Sequence, residues 1–284
     1  MPAIGLGCFS GLTKEERETG QTWFLTGIRS GYRYFDTAYN YGTEVFLGNA
    51  IKESGIPRKE LFITTKLPRT HMGRVQECID ESLKNLGTDY VDLYLLHWPF
   101  AVKFSETGQM IADDSVTLNA TWAEIEKVLA NGKARAIGVS NLSVKTLDQL
   151  IKTANVVPAV NQVELHPYLA QPDLKAYCDS RGILLTAYTP TGYAYVLSSP
   201  TIKELADKYQ ATPTQIVLAW HISRGVAAVP RSANPEHQKQ NLNLPTRESE
   251  DVQKINALDR YERVLNKVDD KGFVWGMKAE ELGW

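Results

Sequence analysis

The sequence predicts an α/β protein, a single (β/α)8 barrel of the TIM type spanning residues 1–284. Eight short β-rich apolar runs alternate with stretches of helical periodicity. Several runs are apolar throughout, as parallel strands covered on both faces are. No Pro/Gly/Ser-rich linker or compositional shift divides the chain, and eight βα units in under 300 residues fit one barrel domain.

The strands are read at 3–6, 32–37, 61–66, 91–98, 134–141, 158–165, 183–188 and 226–232. The first helix, 14–30, carries Trp23, Phe24, Gly27 and Ile28 roughly on one face. The helices 43–54 and 73–86 follow, the latter with Val75, Ile79, Leu83 and Leu86 at helical spacing. The helix 117–132 ends on a C-cap glycine, and 143–154 starts with Ser143 as N-cap. Further helices are read at 171–182, 201–210, 212–225 and 235–243. Two stretches exceed ordinary connections: a long active-face loop, 99–116, and a C-terminal tail, 264–284. Loops of this length inside a compact domain are usually functional.

One competing pattern is IGLGCFSG. Gly5, Gly7 and Gly11 follow the first strand and Asp36 ends the next, a loose form of the dinucleotide fingerprint. The sixth motif position is Ser10, and the polar stretch 13–20 sets the helix start beyond the last glycine. The barrel pattern is the better account.

Composition is that of a globular chain, 43% hydrophobic and 23% charged. A net charge of −2 without a long basic run argues against nucleic acid as partner. Cys8, Cys78 and Cys178 are sparse and odd in number, so neither a disulfide framework nor a metal site is expected, and a reducing compartment fits. No apolar run reaches membrane-spanning length, and the start MPAIGLG lacks signal-peptide character. A cytoplasmic location without membrane association is the expectation.

In such a barrel, chemistry sits at the C-terminal ends of the strands. Those ends carry Asp36, Lys66, His97, Ser140 with Asn141, Gln162 with Glu164, Tyr188, and Arg231 with Ser232. Singly, each has a plain role: Asp36 caps a turn, Lys66 is a solvated strand end, His97 is a hydrogen-bonded core histidine. Jointly, an acid, a lysine and a histidine on neighbouring strands face one mouth. An ammonium fixed by an aspartate lowers the pKa of a nearby phenol, which then donates a proton at neutral pH. A histidine opposite orients a carbonyl oxygen. The set suits protonation of an alkoxide forming from a carbonyl. No side chain supplies a hydride, so a nicotinamide cofactor is implied.

These segments resemble the aldo-keto reductase superfamily. MPAIGLG, GYRYFDTAYNYGTE, FITTKL, DLYLLHWP, IGVSN, NQVELHP, AYTP and PRSANPEHQKQN match its segments in its order along the whole chain. The resemblance implies NADPH bound in extended form without a Rossmann fold, and reduction of aldehydes or ketones. It places the catalytic tetrad on Asp36, Tyr41, Lys66 and His97, choosing Tyr41 as proton donor because it follows the aspartate by five residues. It assigns Ser140, Asn141 and Gln162 to the nicotinamide carboxamide and Tyr188 to stacking on the ring. The stretch from Thr189 and Pro190 to Ser198 matches the loop that crosses the pyrophosphate. Arg231 and Ser232 fall where the family grips the 2′-phosphate, and Asn241 where it holds the adenine.

The sequence departs from the family at three places. A second arginine is replaced by His237 and an acidic residue near the adenine by Gln240, so NADH use is expected beside NADPH. The chain starts inside MPxIGLG, so the N-terminal hairpin that closes the barrel bottom is expected to be missing or reduced. Phe9 stands where a tryptophan is frequent, while Trp98 is kept. Phe9, Trp98, His97 and the 99–116 loop are expected to line the pocket, with Trp275 or Trp284 as lids. Aromatic walls favour aromatic, aliphatic or conjugated carbonyls, and cations near the mouth are too few to infer an acidic group. The same residues would serve a sugar or polyol dehydrogenase running in the oxidative direction, or a non-enzymatic NADPH-binding member. A Schiff-base role for Lys66 is disfavoured, because Asp36 keeps it protonated. A monomer is expected.

Overall fold

Alternation along each strand sorts its side chains into two layers. Phe35, Ile63, Leu67, Tyr94, Leu96 and Val139 join the main core between sheet and helices. Leu93, Leu95 and Val160 form a small separate cluster with Phe62 and Ala136, inside the sheet. Residues of the inner parity include Asp36, Lys66, His97, Ser140, Gln162 and Tyr188. The polar residues at the strand ends therefore share one inward face.

The computed structural model describes residues 1–246 and 248–284. Eight parallel strands run in sequential order: Leu6–Gly7, Tyr34–Asp36, Phe62–Leu67, Leu93–Leu96, Ile137–Ser140, Val160–Glu164, Leu184–Tyr188 and Ala227–Ala228. Gly5 N–H donates to Ala228 O at 2.9 Å and Gly7 N–H to Pro230 O at 3.0 Å, which closes the sheet on itself. Inside, only glycine fits at 138, because a Cβ there would lie 2.6 Å from Val160 O and 2.8 Å from Leu95.

The helices start where their caps dictate. Lys14–Arg29 opens on a capping box between Thr13 and Glu16, and Val144–Ile151 on one between Ser143 and Thr146. The first helix begins three residues after Gly11, closer than the polar stretch suggested. What excludes a Rossmann sheet is the closed sequential strand order, not the distance from glycine to helix.

Strands are shorter than read from sequence. The first is Leu6–Gly7 with Ile4 bridging to Ala228, and the last is Ala227–Ala228, ended near Pro230, which has no N–H to continue the ladder. The 99–116 loop contains a hairpin, Val102–Phe104 against Met110–Ala112. Helix Ser249–Asn256 went unread because its buried face is Asp251 and Ile255 rather than an apolar stripe. The tail forms a hairpin, Phe273–Val274 against Met277–Lys278, and the short helix Ala279–Leu282. Tail and loop share a satellite core of Trp98, Phe100, Val102, Val274, Ala279 and Leu282, with Trp284 against it. Cys8, Cys78 and Cys178 are buried and unpaired. Among the described residues, no helix is long and apolar enough to cross a membrane.

Candidate active site

At the ends of the second and third strands, the Lys66 ammonium is wholly buried. It donates to Asp36 Oδ1 at 2.6 Å and to Thr37 O at 2.8 Å, and lies 3.5 Å from Tyr41 Oη. Gln162 Nε2 holds the other aspartate oxygen, Oδ2, at 2.6 Å. Burial opposes the charge on Lys66, but Asp36 and Tyr41 outweigh it, and the ammonium titrates above its ordinary value. Asp36 is thus the fixed counter-charge of Lys66.

Four tyrosines surround this aspartate in sequence. Tyr32 and Tyr34 are completely buried in and before the strand. Tyr39, at the start of a 3-10 turn, donates its hydroxyl to Glu81, away from the mouth. Tyr41 ends the same turn and sits edge-on to His97, ring centroids 5.8 Å apart, and to Phe9, 5.3 Å apart. Its hydroxyl corrects one expectation. Burial raises the Tyr41 pKa above the ordinary phenol value, and the Lys66 charge pulls it back only part of the way. The phenol is therefore protonated throughout the neutral range. His97, just past the fourth strand, is pushed well below the usual histidine range by burial and by the Lys66 and Arg69 charges, so it is a neutral imidazole.

A second network spans the far side of the mouth. Asn141 sits at φ 65°, with Nδ2 donating to His97 O at 3.0 Å and to Ser140 Oγ at 3.2 Å. Tyr188 Oη donates to Asn141 Oδ1 at 2.6 Å. Asn266 from the tail donates to the same Tyr188 oxygen at 2.5 Å and accepts from Trp275 Nε1 at 2.9 Å. Fully buried Glu164 accepts the backbone N–H groups of Val264, Leu265 and Asn266 at 2.6, 3.0 and 3.2 Å. One carboxylate thereby pins the tail over the mouth. Ser140 is occupied with Gln162 O at 2.8 Å.

Thr189 follows at φ 48°, a left-handed conformation that is strained for a β-branched residue. Pro190 O accepts from His221 at 2.8 Å. The segment to Ser198 contains a five-residue helix, Tyr193–Leu197, with Tyr193 and Ser198 exposed. Past the eighth strand, Arg231 is exposed beside Ser232, donates to Ser10 O at 3.3 Å and lies 5.9 Å from the ring centroid of Trp23. Helix Pro235–Leu242 starts there, capped by Asn234. It carries His237 exposed, Gln240 half-buried and Asn241 buried.

The aromatic residues expected at the pocket differ in burial. Trp98 is nearly buried and packs on Phe100 and Trp284, at 5.8 and 5.7 Å between centroids. Phe9 and Trp275 are 40% and 60% exposed, as walls of an open mouth are. Trp284 is covered by Arg263, whose Cζ lies 3.4 Å from the ring centroid. The sequence reading missed Asn266 and Arg69. Arg69 carried a signal, since it stands three residues past Lys66 on the active face. Asn266 carried none, because only the folded tail brings it to Tyr188.

A closed eight-stranded parallel barrel with an aspartate, lysine, tyrosine and histidine on one inner face defines a class, and sequence comparison agrees with it. The profile of the Aldo/keto reductase family matches residues 4–260, and the chain belongs to that family. It is similar to Glycerol 2-dehydrogenase (NADP(+)) of Saccharomyces cerevisiae, 37% identical over 92% of this chain and 88% of that protein. Aldose reductase B of Dictyostelium discoideum is 38% identical over 91% of this chain and 89% of its own. Morphine 6-dehydrogenase of Pseudomonas putida is 40% identical over 86% and 82%.

Proposed function

We propose that this protein is a nicotinamide-dependent carbonyl reductase, taking NADPH first and NADH also, with Tyr41 as proton donor. The observation that carries the reading is the buried Asp36–Lys66 pair set beneath a protonated Tyr41 and beside a neutral His97. The remaining site residues fit the cofactor. Ser140, Asn141 and Gln162 supply amide and hydroxyl groups suited to a carboxamide, and Tyr188 offers a ring held at its hydroxyl by two asparagines. Thr189, Pro190 and Ser198 belong to a strained loop of the kind kept at binding sites. Arg231 presents an exposed guanidinium suited to a phosphate, beside Ser232, with Gln240 and Asn241 on the helix behind. His237 stands there in place of a second arginine, which supports the use of both cofactors. When bound, the cofactor supplies the hydride.

The chain supplies the rest. His97, uncharged, offers an N–H to the carbonyl oxygen and fixes its direction. Tyr41 Oη passes its proton to the oxygen as negative charge develops there. Lys66 stabilises the phenolate left behind, and Asp36 with Gln162 keeps Lys66 in place. Run backward, Tyr41 as phenolate accepts the alcohol proton. Two of the similar proteins are named dehydrogenases, which supports alcohol oxidation as a second direction for the same groups. The test follows NADPH and NADH absorbance with a panel of aldehydes, ketones and sugars. Tyr41→Phe is expected to lose about 10²–10⁴-fold in kcat. Inactivity of the wild type on every carbonyl, or full activity of Tyr41→Phe, would sink the reading. Fluorescence titration with each cofactor checks the preference.

A further inference from the structure

Arg69 occupies an unusual position. It opens a 3-10 turn, Arg69–His71, directly after the third strand and Pro68, so it overhangs the mouth. Its Cζ lies 5.7 Å from the ring centroid of Trp98, 5.2 Å from Phe100 and 5.8 Å from Trp275. Nη1 donates to Trp275 O at 2.8 Å, and Nη2 reaches only the thioether of Met110 at 3.5 Å, a weak acceptor. Among the described residues no carboxylate pairs with it. Arg58 and Arg263 differ: each faces a buried carboxylate, Asp92 at 2.7 Å and Glu164 at 3.8 Å. An ion held among rings without a counter-ion is costly, and its burial draws the Arg69 pKa down to about 10. Its charge also helps to depress the His97 pKa, after burial and Lys66.

The hydrogen bond that ties Arg69 to the tail uses Nη1 alone. The edge of the fork formed by Nε and Nη2 has no strong acceptor among the described residues. That edge matches the two oxygens of a carboxylate in a charge-assisted, bidentate pair. We propose that Arg69 recognises a carboxylate carried by the carbonyl substrate, so that the preferred substrates are oxo-acids. The inference rests on the carbonyl-reductase reading and deepens it. Because Arg69 also holds the Trp275 carbonyl, the bound carboxylate and the tail meet on one residue.

The test compares kcat/KM for 4-carboxybenzaldehyde with that for methyl 4-formylbenzoate, in which a methyl ester replaces the charged carboxylate. Wild type is expected to prefer the acid by about tenfold or more, as a charged hydrogen bond implies. Arg69→Met is expected to erase that preference, and Arg69→Lys, which keeps charge but not the fork, to keep part of it. If Arg69 only latches the tail, Arg69→Met changes both substrates alike and the ratio stays fixed, which overturns the proposal. A wild-type ratio of one or less overturns it too. Turnover of the ester without acid preference sinks only this inference, whereas turnover of neither aldehyde sinks the reductase reading. Quenching of tryptophan fluorescence by benzoate against benzamide reads the same contact without turnover. Equal binding of the two counts against it.

Discussion

Lys66 joins stability to the proposed chemistry. Its ammonium is buried beside Asp36, and removal of one partner leaves the other charged and unpaired. Lys66→Met is therefore expected to lose turnover and also about 3–5 kcal/mol of stability, read by urea unfolding. Tyr41→Phe should lose turnover with a far smaller change in stability, because the hydroxyl has only a long contact with Lys66. The raised Tyr41 pKa sets the pH behaviour. Reduction needs the phenol and is expected to hold level to about pH 10, the ordinary phenol value. Alcohol oxidation needs the phenolate and should climb with pH across the alkaline range. A kcat profile for oxidation that falls above pH 8 would contradict the assignment.

At the scale of elements, the loop after the seventh strand is held by tight packing. Gly192 sits at φ 60°, and a Cβ there would come within 2.1 Å of Val196 Cγ2. Gly192→Ala is expected to cost about 1–3 kcal/mol through overpacking and backbone strain. If the loop covers the cofactor, NADPH affinity should fall as well, measured by fluorescence quenching. An unchanged affinity in a destabilised variant would detach the loop from cofactor binding. The tail obeys a different logic. Its backbone is tied by three N–H bonds to Glu164, and its aromatic residues are tied by packing on Trp98.

Across the whole molecule, buried ionisable groups bound the pH range of stability. Burial pushes Tyr32 up to about 12 and raises Tyr34 and Tyr94 well above the ordinary phenol value, while Asp36 and Tyr41 raise Lys66. Unfolded phenols release their protons near pH 10, before the folded ones. Stability from these groups is therefore intact below about pH 10 and is lost as pH rises towards 12. On the acid side, His97 is held neutral while the unfolded residue gains a proton below about pH 6.5, so stability falls there. Burial opposes the Glu164 charge, but His166 and the tail N–H groups outweigh it and depress its pKa. Its contribution is lost as pH falls below the ordinary carboxylate range. Urea midpoints should form a plateau between about pH 6.5 and 10 and drop on both sides. A midpoint still rising from pH 10 to 11 would refute this balance.

The sequence by itself determined the alternation of strands and helices, and hence the barrel, because hydrophobic period and capping residues act locally. Ser143 and Thr13 set their helix starts through contacts three residues away. Strand parity already placed Asp36, Lys66 and His97 on one face, since successive side chains must alternate. Choosing Tyr41 among the four tyrosines took a family resemblance, and the fold supplies the physical grounds by sending the Tyr39 hydroxyl to Glu81. Only the tertiary structure decided the balance of charges. The Tyr41 shift depends on burial outweighing Lys66, and burial is a property of every neighbour at once. Likewise Asn266 meets Tyr188, and Arg69 meets three aromatic rings, across long stretches of chain that no local pattern encodes.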